Sequence, residues 1–199
     1  GQGPIERAKE YFPTFYYSLA LRCLEMALDG TLDGLSASML TTLDDTLRPL
    51  SQNYKVSAGR KIPMIFINHG QHRKEDFGKK YNAKIFAKAK EELETICGVK
   101  VTDENLKKAF KAYNENRAEK RRFIKLAASH PQSIKASDRC YVLKSSYFML
   151  KDEHTELLKK LNALLEALPE EKWDGVRVVT SGVITDNPGL LNILDSYKV

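Results

Sequence analysis

The feature that most constrains the fold is a helix-like segment between two short apolar runs. ASMLTT at residues 37–42 predicts a buried strand, and IPMIFI at residues 62–67 predicts a second strand. Between them, DTLRPLSQNYK at residues 45–55 has the apolar spacing of a helix. Two strands joined by a crossover helix pair in parallel, because the helix returns the chain to the same end of the sheet. With a helix before them, residues 15–67 therefore predict the α, β, α, β order of an α/β layer.

Helical patterns surround this layer and dominate the rest of the chain. SLALRCLEMALDG at residues 18–30 carries an apolar stripe, and Gly30 fits a C-terminal cap. From about residue 73 to residue 168 the sequence is highly charged and almost continuously helical, with Thr102 as a predicted N-cap. The segment from residue 175 to the end then predicts a strand, a turn and a helix.

These patterns predict an α/β fold with a partial doubly wound parallel sheet and a large helical segment. We assign residues 1–72 to part of a first α/β domain and residues 73–170 to the helical segment. Residues 171–199 form either the opening βα unit of a second α/β layer or a unit that packs back on the first. A lone strand and helix cannot bury their apolar faces without neighbours. We therefore expect one of these arrangements, or a chain that is a piece of something longer.

Composition excludes several classes of protein. The 199 residues carry a formal net charge of +6 and contain no apolar run of membrane-spanning length. The N-terminus lacks the apolar core of a signal peptide. Three scattered cysteines, at positions 23, 97 and 140, do not make a disulfide framework or a metal knuckle. We therefore expect a cytoplasmic protein with reduced thiols and no membrane partner.

The positive charge suits anionic ligands such as phosphates, but it does not form one basic tract. The densest patch, RAEKRR at residues 117–122, is interrupted by Glu119 and continues an amphipathic helix. No aromatic stacking platform accompanies it. A solvated helix face is therefore favoured, and we expect no nucleic-acid partner.

Two adjacent acids, Asp44 and Asp45, follow the first predicted strand and precede a helix. They have the position at which ligands bind in α/β proteins, and a metal site, an acid–base pair or a helix cap would all use carboxylates there. Neighbouring side chains point in different directions, so the two are not expected to converge on one proton or ion. The pattern favours a helix cap made by one of them.

Two further segments have weaker chemical signals. His69 and His72 follow the second predicted strand, but no third ligand accompanies them at a suitable spacing, so a polar loop is favoured and no metal site is predicted. TSGVITDNPG at residues 180–189 has the order of a phosphate-binding turn without a glycine-rich fingerprint. An ordinary turn is favoured there, although the helix N-terminus near Asn187 could meet an anion.

Several stretches, in their order and spacing, resemble the 2-hydroxyacyl-CoA dehydratase and benzoyl-CoA reductase family, and within it the β-type dehydratase subunit. They are AKEYFPTFYYS, CLEMALDGTLDGLSASML, DTLRPLSQNYK, KAKEELETICG, YNENRAEKR, KSSYFMLKDEHTELLKKLNALLEALPEE and GVRVVTSGVITDNPGLLNIL. The family's subunits are longer, so the resemblance implies that this chain corresponds to a central piece.

The resemblance implies a radical lyase chemistry shared between two subunits. Each family subunit holds a four-iron four-sulfur cluster through three cysteines, and an ATP-driven activator supplies one electron to a CoA thioester. The β-type cluster acts mainly as an electron relay. The resemblance thus implies a partner dehydratase subunit, an activator and a CoA thioester as partners.

This chain departs from the family at the cluster positions. Tyr17 and Asp44 stand where the resemblance places the first two cluster cysteines, and the third lies in a domain that this chain lacks. Iron–sulfur clusters need soft thiolate ligands. We therefore predict no cofactor, no catalytic residue and no activity for this chain alone.

Three hypotheses follow from the departure. In the first hypothesis, the chain is a dehydratase subunit or relative that keeps its scaffold and partner surface without the cluster. In the second, it is an engineered or reconstructed core without activity. In the third, it binds a CoA-like anion without redox chemistry, through the N-terminus of the helix at Asp45 and four cations: Arg48, Lys55, Arg60 and Lys61.

Overall fold

The computed structural model describes residues 3–181 and 185–197 and divides the chain into two compact units, Gly1–Val101 and Thr102–Val199. The first unit contains a short 3-10 helix (Arg7–Glu10), α1 (Ser18–Leu28), β1 (Ser38–Thr41), α2 (Leu47–Ser57), β2 (Met64–Ile67) and α3 (Asp76–Cys97). The second contains α4 (Asp103–Ser129), α5 (Ala136–Ser145), α6 (Lys151–Glu166) and α7 (Pro188–Ser196). The charged helical segment predicted from the sequence is therefore divided between the two units.

The two predicted strands form a parallel pair, which confirms the α/β assignment. Ser38 lies opposite Met64 and Thr41 lies opposite Ile67. The expectation that the first strand is buried is wrong, because Met39 is 47% exposed and its neighbours in β1 are half-buried. Among the described residues the sheet has these two strands alone, so the doubly wound arrangement stays a prediction.

The first unit has its main core where α1 and α2 meet the 3-10 helix. Leu24 of α1, Leu50 of α2 and Phe12 are almost fully buried there. The carboxylate of Glu25 is also buried, and it accepts the backbone N–H groups of residues 6, 7 and 8 at 2.8–3.3 Å. This carboxylate holds the N-terminal segment on α1, because it satisfies donors at the start of the 3-10 helix.

Helix α3 covers the face of β2 that the first core leaves open. Ile65 and Ile67 of β2 are buried against Ala89. Gly98 follows the helix with a φ of 65°, a left-handed conformation that glycine adopts without a Cβ clash. The glycine predicted to end the first helix, Gly30, likewise has a positive φ of 90°.

The second unit is built on the packing of α4 against α6. Phe123 and Ala127 of α4 are buried against Leu158 and Leu165 of α6. A polar contact lies in the same interface, where the Asn116 side chain is 2.8 Å from Nδ1 of the buried His154. The predicted N-cap of α4 is confirmed, since the Thr102 hydroxyl accepts the N–H of Asn105 at 3.2 Å.

The strand predicted at residues 175–180 does not form. The backbone there has no regular secondary structure, and no described segment pairs with it. A strand requires a neighbour for its N–H and C=O groups, and the apolar run alone cannot supply one. The helix predicted after it is present as α7. No described helix combines the length and the apolar character needed to cross a bilayer.

Candidate functional site

The candidate site lies where the chain enters α1 and leaves β1. Tyr17 is the residue directly before α1, and Asp44 follows the end of β1. The Tyr17 hydroxyl donates a hydrogen bond of 2.9 Å to Oδ2 of Asp44. The structure therefore joins side chains that are 27 residues apart in the sequence, and they are the two that the resemblance matches to cluster cysteines.

Asp44 also closes the N-terminal end of α2. Its Oδ1 accepts the backbone N–H of Thr46 at 2.8 Å and that of Leu47 at 2.9 Å. These donors have no partner within the helix, and a carboxylate there also interacts favourably with the helix dipole. The predicted helix cap is thus present, and Asp44 rather than Asp45 forms it.

The environment of Tyr17 keeps its phenol protonated. Partial burial and the hydrogen bond to the Asp44 carboxylate raise the pKa of Tyr17 to about 12 from an ordinary value of 10.0. A phenolate beside the carboxylate would lose the hydrogen bond and add a like charge. Near neutral pH the pair is therefore a neutral donor and an acceptor oxygen.

This donor set does not fit a four-iron four-sulfur cluster. Cluster ligands are thiolates, whereas a protonated phenol and an aspartate already bonded to three hydrogen donors offer hard oxygen atoms. The three cysteines, Cys23, Cys97 and Cys140, are free thiols on three different helices.

The four cations proposed for an anion site lie on α2 and just beyond its end. Arg48, Lys55 and Arg60 are exposed along and just beyond α2, and Lys61 pairs with Asp33 at 3.6 Å. The N–H groups of the α2 N-terminus that an anion would use are already bonded to Asp44. Anion binding by these residues stays a prediction.

The two histidines after β2 have structural contacts. The His69 ring lies 5.5 Å from the Phe86 ring, and the His72 ring lies 5.0 Å from the Phe77 ring. The His69 N–H also donates to the Thr42 hydroxyl at 2.9 Å, which ties this loop to the end of β1. Within the described part of the chain, no group of three or more histidine, cysteine or carboxylate side chains is close enough to hold a metal ion.

The turn at residues 180–189 is only partly described, because residues 182–184 lie outside the described residues. At the end of this turn, the Asn187 side chain accepts the N–H of Leu190 at 3.1 Å and caps α7, with Pro188 in the first turn of the helix.

The basic run at residues 117–122 takes part in ion pairs. Arg122 pairs with Glu119 of the same helix, α4, and with Glu166 of α6.

The sequence reasoning missed a cleft in the second unit, which is lined by cations and the single tryptophan, Trp173. Its lining comes from residues scattered between 128 and 195, so no motif marks it. The sequence feature most closely related to this cleft is the positive net charge, which does not predict where in the fold the cations lie.

Comparison with known proteins identifies the lineage of the chain. The family model for the 2-hydroxyglutaryl-CoA dehydratase D-component matches residues 1–199. The chain belongs to this dehydratase family. The chain is 48% identical over 193 residues to the β subunit of (R)-2-hydroxyglutaryl-CoA dehydratase of Acidaminococcus fermentans, covering 97% of the chain and 51% of that subunit.

Two further relatives of this dehydratase family extend the comparison. The (R)-phenyllactyl-CoA dehydratase β subunit of Clostridium sporogenes is 38% identical over 98% of the chain and 52% of that protein. The lactoyl-CoA dehydratase β subunit of Anaerotignum propionicum is 36% identical over 98% of the chain and 51% of that protein. The resemblance to β-type dehydratase subunits is thus confirmed, and the chain spans about half the length of the relatives it matches.

Proposed function

We propose that this chain is part of the β-type subunit of a 2-hydroxyacyl-CoA dehydratase and that it carries no iron–sulfur cluster of its own. The observation that carries the proposal is the Tyr17–Asp44 hydrogen bond at the two positions matched to cluster cysteines. The family match and the β-subunit relatives support the lineage.

The Tyr17–Asp44 pair has a structural role at the end of β1. A cluster bound through thiolates would connect the start of α1 with the end of β1. Here the phenol of Tyr17 and the carboxylate of Asp44 make that connection directly, and the same carboxylate caps α2. The scaffold around the site is therefore maintained by hydrogen bonds.

A partner subunit is the second part of the proposal. Phe15, Leu19 and Leu43 are 68–80% exposed, and each lies within two residues of Tyr17 or Asp44 in the sequence. Exposed apolar side chains of this size mark protein–protein contacts when they gather in one place. We infer that the partner dehydratase subunit covers these exposed side chains and brings the cluster chemistry. The chain alone then dehydrates nothing.

The alternative function is a non-catalytic scaffold or CoA-binding module of the same fold. The exposure of Arg48, Lys55 and Arg60, none of which has an ion pair among the described residues, favours it. A CoA thioester that binds the isolated chain, and binds less tightly to a variant with these three cations replaced by glutamine, would support this alternative.

Binding to the catalytic subunit of the same dehydratase tests the partner role. We expect the two proteins to co-elute in size-exclusion chromatography, and Phe15→Glu to weaken the complex because it places a charge in the apolar contact. Val56→Glu is the matched control, since Val56 is 77% exposed on α2. No complex, or equal weakening by both variants, contradicts the proposed surface.

Catalysis is tested by mixing the chain with an activator, ATP and a 2-hydroxyacyl-CoA, first alone and then with the catalytic subunit. We expect no enoyl-CoA from the chain alone. Sustained turnover by the chain alone would refute the assignment of the chemistry to the partner.

A further inference from the structure

A cleft of about 540 Å³ lies in the second unit between α5, α7 and residues 173–180. Its volume is in the range of sites that bind small organic molecules. Ile134 and Leu191 supply buried apolar surface, and Trp173 forms part of the wall. Helix α5 has no fully buried side chain, and its residues Ala136, Arg139 and Cys140 line the cleft.

The charge in the cleft is unbalanced. Lys135, Arg139 and Arg177 line it together with one carboxylate, Asp195. The Asp195 Oδ1 atom accepts the backbone N–H of Ser137 at 3.2 Å. None of the three cations forms an ion pair with any described residue. The lining therefore carries a positive excess that an anion would neutralise.

Arg139 is the group that most requires a partner. Its Nε is buried and has no hydrogen-bond acceptor among the described residues. The buried Nε of Arg22, in the first unit, also lacks a partner, but Nη1 of that residue donates to the Pro4 carbonyl at 3.0 Å. No side-chain hydrogen bond of Arg139 is present in the described structure. An unpaired buried donor destabilises a fold, and an oxyanion in the cleft would remove that cost.

We propose that this cleft binds an organic anion with an apolar body. The oxyanion, a carboxylate or a phosphate monoester, accepts hydrogen bonds from the Arg139 guanidinium, whose planar donors match either group. The apolar body lies against Trp173 and Leu191. This site is separate from the Tyr17–Asp44 pair and does not depend on the proposed function.

The single tryptophan provides a direct assay, because Trp173 is in the cleft wall. We would titrate the 199-residue chain with heptanoate, hexyl phosphate and heptanamide and record tryptophan fluorescence. Saturable changes with either anion, and a much weaker response to the neutral amide, are expected. Stronger binding of heptanoate assigns a carboxylate ligand, and stronger binding of hexyl phosphate assigns a phosphate ester.

Replacement of the cation tests its role. Arg139→Gln should weaken binding of the preferred anion roughly 10- to 100-fold, the effect of losing a charge-assisted hydrogen bond. Arg121→Gln is the matched control, since Arg121 is exposed on α4 and does not line the cleft. If Arg139→Gln does not fold by circular dichroism, Arg177→Gln is used and should also weaken binding.

Three results would overturn the proposal. The first is the absence of a saturable fluorescence change with both anions. The second is equal affinity for heptanamide, which would show an apolar cleft without anion recognition. The third is unchanged affinity in a folded Arg139→Gln or Arg177→Gln variant.

Discussion

Replacing Asp44 by alanine should destabilise the first unit through two separate losses. The substitution removes the acceptor of the Thr46 and Leu47 N–H groups and the acceptor of the Tyr17 hydroxyl. Losing an N-terminal cap costs about 1 kcal/mol, and losing an exposed hydrogen bond costs about 0.5–1 kcal/mol. We therefore expect Asp44→Ala to lower the free energy of unfolding by about 1.5–2 kcal/mol.

Two companion variants separate these losses. Tyr17→Phe removes the hydroxyl and leaves the cap, so it should cost about 0.5–1 kcal/mol. In the double variant Tyr17→Phe/Asp44→Ala the effects should not add, and the difference from additivity measures the hydrogen bond. Asp45→Ala is the control, because Asp45 is exposed beside Asp44 and forms no cap bond; its effect should stay within about 0.5 kcal/mol.

Urea unfolding followed by far-UV circular dichroism measures these differences. Tryptophan fluorescence is not suitable, because Trp173 lies in the second unit. Hydrogen exchange at the Thr46 and Leu47 amides adds a local measurement, and both should exchange faster in Asp44→Ala than in Tyr17→Phe. Equal destabilisation by Asp45→Ala and Asp44→Ala would contradict the cap assigned to Asp44. Equal exchange rates of the Thr46 and Leu47 amides in Asp44→Ala and Tyr17→Phe would also contradict it.

Three further outcomes are expected. The difference in ultraviolet phenolate absorbance between the wild type and Tyr17→Phe should titrate near pH 12 rather than 10, and the stability that the phenol contributes should be lost as the pH rises through that range. Glu25 is buried, which alone would raise its pKa, but the three backbone N–H donors lower the pKa below its ordinary 4.5. Glu25→Gln should therefore be less stable than the wild type above pH 4.5, and the difference should shrink as the pH falls below 4.5. Glu10→Gln is the control, since Glu10 is exposed on the 3-10 helix and accepts none of these N–H groups. Phe123→Ala should cost about 3–5 kcal/mol in urea unfolding because it empties a fully buried position, and equal destabilisation by Phe110→Ala, which is 64% exposed, would contradict the assigned core.

Local sequence patterns were enough to predict the parts of the fold whose cause is local. Gly30 follows α1 with a positive φ, and Thr102 caps α4 with its hydroxyl, as the sequence indicated. The parallel pairing of β1 and β2 was also predictable, since a single helix joins them. Each of these features depends on a few neighbouring residues and on constraints that apply to every chain.

Features that depend on distant residues were not predictable. Residues 175–180 have a strand-like apolar pattern but no described partner for their backbone, so the pattern alone was misleading. Met39 sits in an apolar run and is nevertheless half exposed, because the burial of one face depends on what packs over it.

The candidate site shows the same division. The sequence placed a carboxylate cap at the start of α2 and left open which of Asp44 and Asp45 forms it. The resemblance matched Tyr17 and Asp44 to one functional site, but their contact required the start of α1 to lie beside the segment that follows β1. No sequence motif marked the cleft around Arg139, because its lining comes from the end of α4, from α5 and α7, and from separate segments of irregular backbone.

Iron and acid-labile sulfide content after anaerobic reconstitution, with a visible spectrum, tests whether Tyr17 and Asp44 leave the chain without an iron–sulfur cluster. The wild type is compared with Tyr17→Cys/Asp44→Cys and with a control, Tyr11→Cys/Asp45→Cys, all in the presence of a small thiol that can complete a ligand set. We predict that only the first double variant takes up iron and sulfide, with a broad absorbance at about 400 nm. Matching iron and sulfide in the wild type would contradict it, because the hydrogen-bonded phenol and carboxylate would then coexist with a cluster held by other residues.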